Sequence, residues 1–195
     1  MKIGVPSEIK EQESRVGLTP ASVQELSNHG HKVLIQNNAG NGAGFLNQDY
    51  ESAGATIVHK TEDIFNDSDM IVKVKEPLQN EVSMLKENQI LFTYLHLSAA
   101  PDLTEGLIKS KSICIAYETV TDENNRLPLL APMSAVAGRM SVQAGAHCLE
   151  KPQGGSGLLV GGAPGVKPGN ILILGGGVVG ENAAIIATGM QAKVY

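Results

Sequence analysis

The sequence is poor in cysteine and has no apolar stretch of membrane-spanning length. It contains two cysteines, Cys114 and Cys148, and both lie in apolar segments. This placement predicts reduced core residues of a cytosolic protein rather than a disulfide or a metal-binding pair. No apolar run approaches the roughly 20 residues that a membrane helix needs. Residues 1–6 lead straight into a predicted strand, so no signal peptide is expected.

Positive charge is also scarce. The chain has 15 Lys and Arg residues against 20 Asp and Glu residues, a net charge of −5, and its pI is about 5.5. This balance argues against nucleic acid and anionic membrane surfaces as partners. Hydrophobic residues make up 42% and charged residues 18% of the 195 residues. That composition is ordinary for a soluble globular protein of one domain or two small ones.

The most informative stretch is a glycine-rich turn late in the chain. Residues 171–174 predict a buried parallel strand, residues 181–190 predict a helix, and Gly175, Gly177 and Gly180 stand between them at G-x-G-x-x-G spacing. The first glycine allows a sharp bend, the second lets a pyrophosphate approach the backbone, and the third lets helix and strand pack closely. The helix N-terminus offers N–H groups and a positive dipole end to phosphate. This context predicts a dinucleotide site, and the alternative is a glycine-rich turn of another α/β protein.

A dinucleotide fold also needs an acidic residue at the end of the next strand, about 20 residues after the glycines, to hold the ribose hydroxyls. That strand is predicted at residues 192–195, where the sequence stops. We therefore expect the chain to be part of a longer protein. If these residues are instead the whole molecule, it should bind dinucleotide poorly or not at all.

Strands and helical segments alternate before the glycine turn. Six strands are predicted, at residues 2–5, 31–36, 55–58, 70–74, 89–95 and 113–117. The alternation predicts a parallel sheet with right-handed crossovers. A long helix of small residues at 132–151 and a Gly/Pro-rich loop then lead to the turn. The predicted fold is α/β with two doubly wound, Rossmann-like domains on parallel sheets. The first spans 1–128, and 129–195 holds a connecting helix and the first half of the second, incomplete domain.

Two basic side chains follow strands at the carboxyl edge of the first sheet, where ligands bind in open parallel sheets. Arg15 follows the first strand, and its guanidinium could hold a planar carboxylate by two parallel hydrogen bonds. Lys75 is predicted at the last position of the fourth strand, within reach of a bound anion or carbonyl. The ordinary alternatives are a solvated loop arginine and a surface lysine. Lys73, on the same strand face, is predicted to be a surface residue.

His96 follows the fifth strand at the same edge. A histidine there titrates near neutral pH and can move a proton in either direction, although a structural role is the ordinary alternative. Arg15 could clamp a carboxylate, Lys75 could supply a cation for a carbonyl oxygen, and His96 could shuttle protons. All three side chains can face one crevice, and this joint placement favours a functional role over the ordinary alternatives. The sequence shows no metal-ligand spacing and no supported nucleophile–base pair.

Taken together, these segments resemble bacterial alanine dehydrogenases. The resemblance covers the whole chain and rests on residues 1–10, Arg-Val-Gly-Leu-Thr-Pro at 15–20, Val-Lys-Val-Lys-Glu-Pro at 72–77, Thr-Tyr-Leu-His-Leu at 93–97, Pro-Met-Ser at 132–134 and the glycine turn. It implies an NAD-dependent enzyme that converts L-alanine to pyruvate and ammonia in a reversible reaction. It also implies a cytoplasmic homohexamer with two domains around a cleft.

The resemblance further implies roles for individual residues. Arg15 and Lys75 would bind the small-molecule substrate, and His96 would be the catalytic acid and base. The expected cofactor-binding residues are Ser134, Gly175, Gly177, Val178, Val179 and Gly180. Chains of this family continue through the rest of the cofactor domain and carry further acidic site residues there. The 195-residue chain is therefore expected to be inactive by itself.

Two alternatives remain open at this stage. The NAD-binding component of a proton-translocating nicotinamide nucleotide transhydrogenase looks similar, and it would need a membrane partner. Residues 118–120 and 132–134 look more like the dehydrogenase. The other alternative is a catalytically inactive fragment that serves as a binding module.

Overall fold

The computed structural model describes residues 1–195, which divide into two compact units, Met1–Val120 and Thr121–Tyr195. The strands of the first unit are β1 (Lys2–Val5), β2 (Lys32–Gln36), β3 (Thr56–Val58), β4 (Met70–Val72), β5 (Ile90–Thr93) and β6 (Ile113–Ala116). Its helices are α1 (Pro20–Asn28), α2 (Asn47–Ser52), α3 (Thr61–Asp67), α4 (Gln79–Val82) and α5 (Pro101–Ser110). The second unit contains α6 (Ala131–Cys148), β7 (Asn170–Ile171), α7 (Val178–Gly189) and β8 (Lys193–Val194). The functional boundary expected at 128/129 stays a prediction.

The six strands of the first unit form one sheet in the order β3-β2-β1-β4-β5-β6, and every neighbouring pair is parallel. One buried cluster joins the sheet to α1 and α2, and a second joins it to α3, α4 and α5. The sheet is therefore sandwiched between two helical layers. The predicted α/β fold with a parallel sheet is confirmed.

Local sequence explains how these elements form and pack. In β1, Ile3 and Val5 are buried in the cluster of α1 and α2, whereas Gly4 faces α3. A Cβ atom on Gly4 would lie 2.2 Å from Ser68 Oγ, so the missing side chain lets α3 approach the sheet. At α1, Thr19 Oγ1 accepts a hydrogen bond from Ser22 N at 3.3 Å. That bond satisfies one of the free N–H groups at the helix start.

In the second unit, α6 and α7 pack against each other through small residues. Val142, Ala183 and Ala187 form the buried cluster between them. A Cβ on Gly138 would lie 2.2 Å from Val179 O, so any larger residue at this position of α6 would force the two helices apart. None of the helices combines the length and apolar character needed to cross a bilayer.

The strand before the glycine turn differs from the prediction. It is shorter than residues 171–174, and its side chains are not all buried: Leu172 is 70% and Leu174 is 88% exposed. Ile171 and Ile173 instead pack against the α6–α7 cluster. The physical reason is that helices cover only one face of the two-stranded β7–β8 sheet, so alternate residues on the other face remain in solvent.

Two further side-chain predictions were wrong. Lys73 is 1% exposed rather than a surface residue, because its ammonium pairs with the buried carboxylates of Glu8 and Glu81. Cys148 is exposed rather than part of the core, since it occupies the last position of α6, while Cys114 is partly buried in β6.

Candidate active site

The candidate site of the first unit lies where the strand order reverses. β1 and β4 are neighbours in the sheet. β2 and β3 follow on the side of β1, and β5 and β6 follow on the side of β4. In open α/β sheets, ligands bind beyond the carboxyl ends of the strands at such a switch point. The structure places Arg15 after β1, Lys75 after β4 and His96 after β5. Lys75 lies three residues beyond the end of β4, and not in its last position as predicted.

Arg15 is held by a carboxylate from its own loop. Its Nε lies 2.8 Å from Glu13 Oε1 and its Nη2 lies 2.6 Å from Glu13 Oε2, a bidentate pair. The Glu13 side chain is 8% exposed and that of Arg15 is 42% exposed. The hydrogen bonds from Arg15, opposed by burial, lower the pKa of Glu13 to about 2. The same pairing raises the pKa of Arg15, so the guanidinium is oriented and charged at the mouth of the site.

Acid should remove the contribution of the Glu13–Arg15 pair to stability. The pKa of Glu13 is about 2 in the folded chain against an ordinary 4.5. The contribution is therefore present above about pH 4.5 and is lost as the pH falls through about 2. Because water reaches Arg15 and screens the pair, we expect a size on the order of 1 kcal/mol. Urea unfolding of the wild type and of Glu13→Gln, followed across this pH range, measures the contribution of the pair to the free energy of unfolding. The variant should lack this part of the acid-dependent loss, and an identical pH dependence in both chains would contradict the prediction.

A buried charge network beneath the site fixes the segment that carries Lys75. Lys73 Nζ lies 2.7 Å from Glu81 Oε1 and 3.4 Å from Glu8 Oε2, and all three side chains are at most 3% exposed. Glu8 Oε1 accepts a hydrogen bond from Val74 N at 2.7 Å and from Lys75 N at 3.4 Å. These two hydrogen bonds attach the loop after β1 to the backbone of the segment that carries Lys75. The half-buried Lys75 ammonium contributes to the lowered pKa of Glu13.

Little in the local sequence points to this network. Its one available signal was a lysine inside an otherwise apolar run, Ile71-Val72-Lys73-Val74. A charge at such a position must either reach solvent or find a buried partner. The partners Glu8 and Glu81 come from different segments, and the Oε2 atom of Glu81 also accepts a hydrogen bond from Leu78 N at 2.9 Å, which caps α4.

His96 is presented to the site by an unusual backbone conformation. It has a φ of 50° and a ψ of 38°, in the left-handed region that costs a non-glycine residue energy. Glu118 stabilises this turn by accepting hydrogen bonds from His96 N at 2.7 Å and Leu95 N at 3.1 Å. Burial raises the pKa of Glu118, but these backbone donors outweigh it and the net pKa is lowered. The imidazole is 55% exposed, so solvent or a small ligand can reach it.

Aromatic rings connect His96 to Arg15. The ring of Tyr94 lies 6.1 Å from that of His96 and 4.9 Å from that of Tyr117. Burial raises the pKa of Tyr94, although the positive charge of Arg15 opposes the shift. The charges of Arg15 and Lys75 both act on Glu13, and Tyr94 lies beside His96 and senses the charge of Arg15. Sequence reasoning assigned no role to Glu8, Glu13, Tyr94 or Glu118, although Glu8, Tyr94 and Glu118 lie in segments that carry the family resemblance.

The candidate dinucleotide site lies within the second unit. A cavity of about 720 Å³ there is lined by all six residues expected to bind cofactor, and α6 contributes Ser134 to it. The lining also includes residues of α6, β7 and α7. Four residues of α6 and α7 illustrate its small-residue character: Ser141, Gly145, Ala146 and Ala183.

The geometry of the glycine turn fits a pyrophosphate. Gly175 has a φ of 106°, which only glycine adopts readily. A Cβ on Gly180 would lie 1.9 Å from Gly175 O, whereas a Cβ on Gly177 would meet nothing within 4 Å. The turn is thus tightly packed at Gly180 and open at Gly177. Helix α7 begins directly afterwards at Val178, and no side chain caps its N-terminus, so its first N–H groups point to the open side.

Both units resemble proteins of one family. Residues 4–137 match the family described as "Alanine dehydrogenase/PNT, N-terminal domain", and residues 141–195 match "Alanine dehydrogenase/PNT, C-terminal domain". The alanine dehydrogenase of Halomonas elongata is 56% identical over 194 residues, and that of Methanococcus maripaludis is 54% identical over 194 residues. Each comparison covers 100% of this chain and 52% of the relative. The chain thus spans about half the length of the curated relatives it matches.

Solved structures give the same picture. One, described as an L-alanine dehydrogenase, has a TM-score of 0.90 at 57% identity, over 98% of this chain and 53% of that one. A transhydrogenase from Sinorhizobium meliloti has a TM-score of 0.78 at 22% identity, over 100% of this chain and 55% of that one. At this lower identity the likeness shows a common fold alone.

Proposed function

Because the chain belongs to the alanine dehydrogenase/PNT family, we propose that the full-length protein is an NAD-dependent alanine dehydrogenase. It converts L-alanine, NAD⁺ and water to pyruvate, ammonium, NADH and a proton, and the reaction is reversible. The observation that supports this proposal is that Arg15, Lys75 and His96 follow β1, β4 and β5, three neighbouring strands whose carboxyl ends lie at one edge of the first sheet. A guanidinium, an ammonium and an imidazole are suited to bind and react with a small 2-amino or 2-oxo acid.

Each of the three side chains has a role that its chemistry supports. The guanidinium of Arg15, oriented by Glu13, binds the substrate carboxylate. The ammonium of Lys75, on backbone held by Glu8, stabilises negative charge on the carbonyl oxygen of pyruvate and of its precursor. The exposed imidazole of His96 takes a proton from the attacking water and returns one when ammonia leaves. In the reverse direction the same proton movements run backward.

The second unit is proposed to hold the cofactor. Bound NAD⁺ supplies the hydride acceptor for the substrate Cα. The open backbone at Gly177 and the N-terminus of α7 at Val178 and Val179 would bind its pyrophosphate, with Gly175 and Gly180 shaping the turn. Ser134 lines the same cavity and would contact the cofactor. The domain assignment follows: 1–128 for substrate and 129–195 for cofactor.

An assay of alanine-dependent NADH formation by the full-length protein tests the proposal. Absorbance at the NADH band should rise with L-alanine and NAD⁺, and pyruvate should accumulate in equal amount. Absence of turnover with alanine, together with hydride exchange between two dinucleotides, would favour the transhydrogenase component instead. That alternative is the weaker one, since its structural likeness at 22% identity supports the fold alone, whereas the dehydrogenase relatives are 54–56% identical.

The same resemblance supports a cytoplasmic homohexamer. Sedimentation equilibrium of the full-length protein should give six times the subunit mass. A monomeric mass at concentrations that support activity would contradict it.

A further inference from the structure

The two carboxylate oxygens of Glu76 have different surroundings. Glu76 follows Lys75 and its side chain is 20% exposed. Oε1 pairs with the ammonium of Lys10, from the loop after β1. Oε2 is buried and accepts no hydrogen bond. A buried polar atom without a partner is uncommon in folded proteins and calls for an explanation.

The imidazole of His96 lies near this oxygen. Nδ1 of His96 lies 3.8 Å from Glu76 Oε2, slightly too far for a hydrogen bond. The imidazole is 55% exposed, so a small rotation of its side chain closes the gap. Hydrogen bonds at catalytic groups are often long before substrate binds and shorten in the productive complex.

The other groups around His96 are already engaged. Glu118, from the segment after β6, accepts hydrogen bonds from the backbone N–H groups of Leu95 and His96. Tyr94 contacts the imidazole through its ring. Lys10 approaches from the loop after β1, but its ammonium pairs with Glu76. Glu76 is therefore the carboxylate available to a ring nitrogen of His96.

We propose that Glu76 is a positioning residue for His96: its Oε2 accepts a hydrogen bond from Nδ1–H and leaves Nε2 to exchange protons with the substrate. Lys10 anchors the opposite oxygen and holds the carboxylate in place. Glu76 itself acts on the imidazole and does not touch the substrate. The catalytic part of this inference rests on the proposed function, whereas the pairing of Glu76 with His96 does not.

Two consequences follow from the chemistry of the imidazole. A hydrogen bond at Nδ1–H selects the tautomer that is unprotonated at Nε2. The same hydrogen bond fixes the orientation of the ring. In Glu76→Gln the amide can instead donate to Nδ1, which selects the tautomer protonated at Nε2. In the direction of alanine oxidation, His96 must present an unprotonated Nε2 to take a proton, so Glu76→Gln should lower kcat by about tenfold or more with little change in the KM for alanine.

The test combines NMR of the imidazole with steady-state kinetics. Nitrogen-15 spectra of the full-length protein should show His96 protonated at Nδ1 when neutral. In Glu76→Gln, the neutral imidazole should lose this preference for Nδ1–H, and kcat should fall by about tenfold or more with little change in the KM for alanine. Glu105→Gln is the matched control, because Glu105 is 66% exposed and pairs only with Lys109 on α5. It should leave both readouts unchanged.

Several results would overturn the pairing. A neutral His96 protonated at Nε2 in the wild type would do so even if the Glu76→Gln protein failed to fold. An unchanged tautomer of His96 in a folded Glu76→Gln protein would do so as well. The expected tautomers in a protein that does not oxidise alanine would support the pairing and contradict the proposed function instead.

Discussion

Replacement of His96 by alanine in the full-length protein is expected to lower the turnover number by about 10² to 10⁴-fold, the usual contribution of a general acid–base. The reason is that water and the departing ammonia lose the imidazole that follows β5. Substrate binding should change far less, because Arg15 and Lys75 remain. Steady-state kinetics with alanine and NAD⁺ would measure the effect, with the KM for alanine recorded alongside kcat.

His29→Ala is a matched control for that measurement. His29 is exposed at the end of α1 and pairs with Glu25 of the same helix. Its replacement should leave kcat within about twofold, since surface changes away from such sites have small effects. Turnover near the wild-type value in a folded His96→Ala protein would contradict the assignment of His96 as the acid–base.

Replacement of Lys73 by methionine is expected to have the largest effect on stability. Lys73 is 1% exposed and lies between the carboxylates of Glu8 and Glu81. Methionine preserves most of the side-chain volume but leaves two buried negative charges without a cation. Removing one partner from a buried ion pair usually costs about 3–5 kcal/mol. The free energy of unfolding in urea should fall by that amount.

Lys111→Met provides the comparison for the buried lysine. Lys111 pairs with Glu87 at 3.4 Å, but both side chains are more than 60% exposed. Exposed pairs of this kind contribute about 0–1 kcal/mol, so this substitution should have little effect. A Lys73→Met protein as stable as Lys111→Met would show that Lys73 does not serve as the counter-ion of Glu8 and Glu81.

The alternation of elements and the outline of the site could be predicted from local sequence. β1 begins and ends at the predicted residues, and α1 begins at Thr19 and Pro20, residue types that favour a helix start. Because parallel strands direct their carboxyl ends to one edge, the residues that follow β1, β4 and β5 could be expected to converge. This depends only on strand direction, which the alternation of strands and helices indicates.

The side chains that support the site could not be predicted in the same way. Glu8 and Lys73 are 65 positions apart, and Lys10 and Glu76 are 66 apart. No local pattern specifies such pairs, because they depend on how the loop after β1 folds over the end of β4. The same limit explains Leu172 and Leu174, whose exposure depends on which face of β7 a helix covers and not on their own apolar character.

The proposal that Arg15, Lys75 and His96 form one substrate site is tested most directly by a crystal structure of the full-length protein with pyruvate and NADH. We expect the pyruvate carboxylate to bind Arg15, its carbonyl oxygen to lie within hydrogen-bond distance of Lys75, and His96 to face the same oxygen. Pyruvate bound elsewhere, or bound without contact to these three side chains, would contradict the assignment of the site.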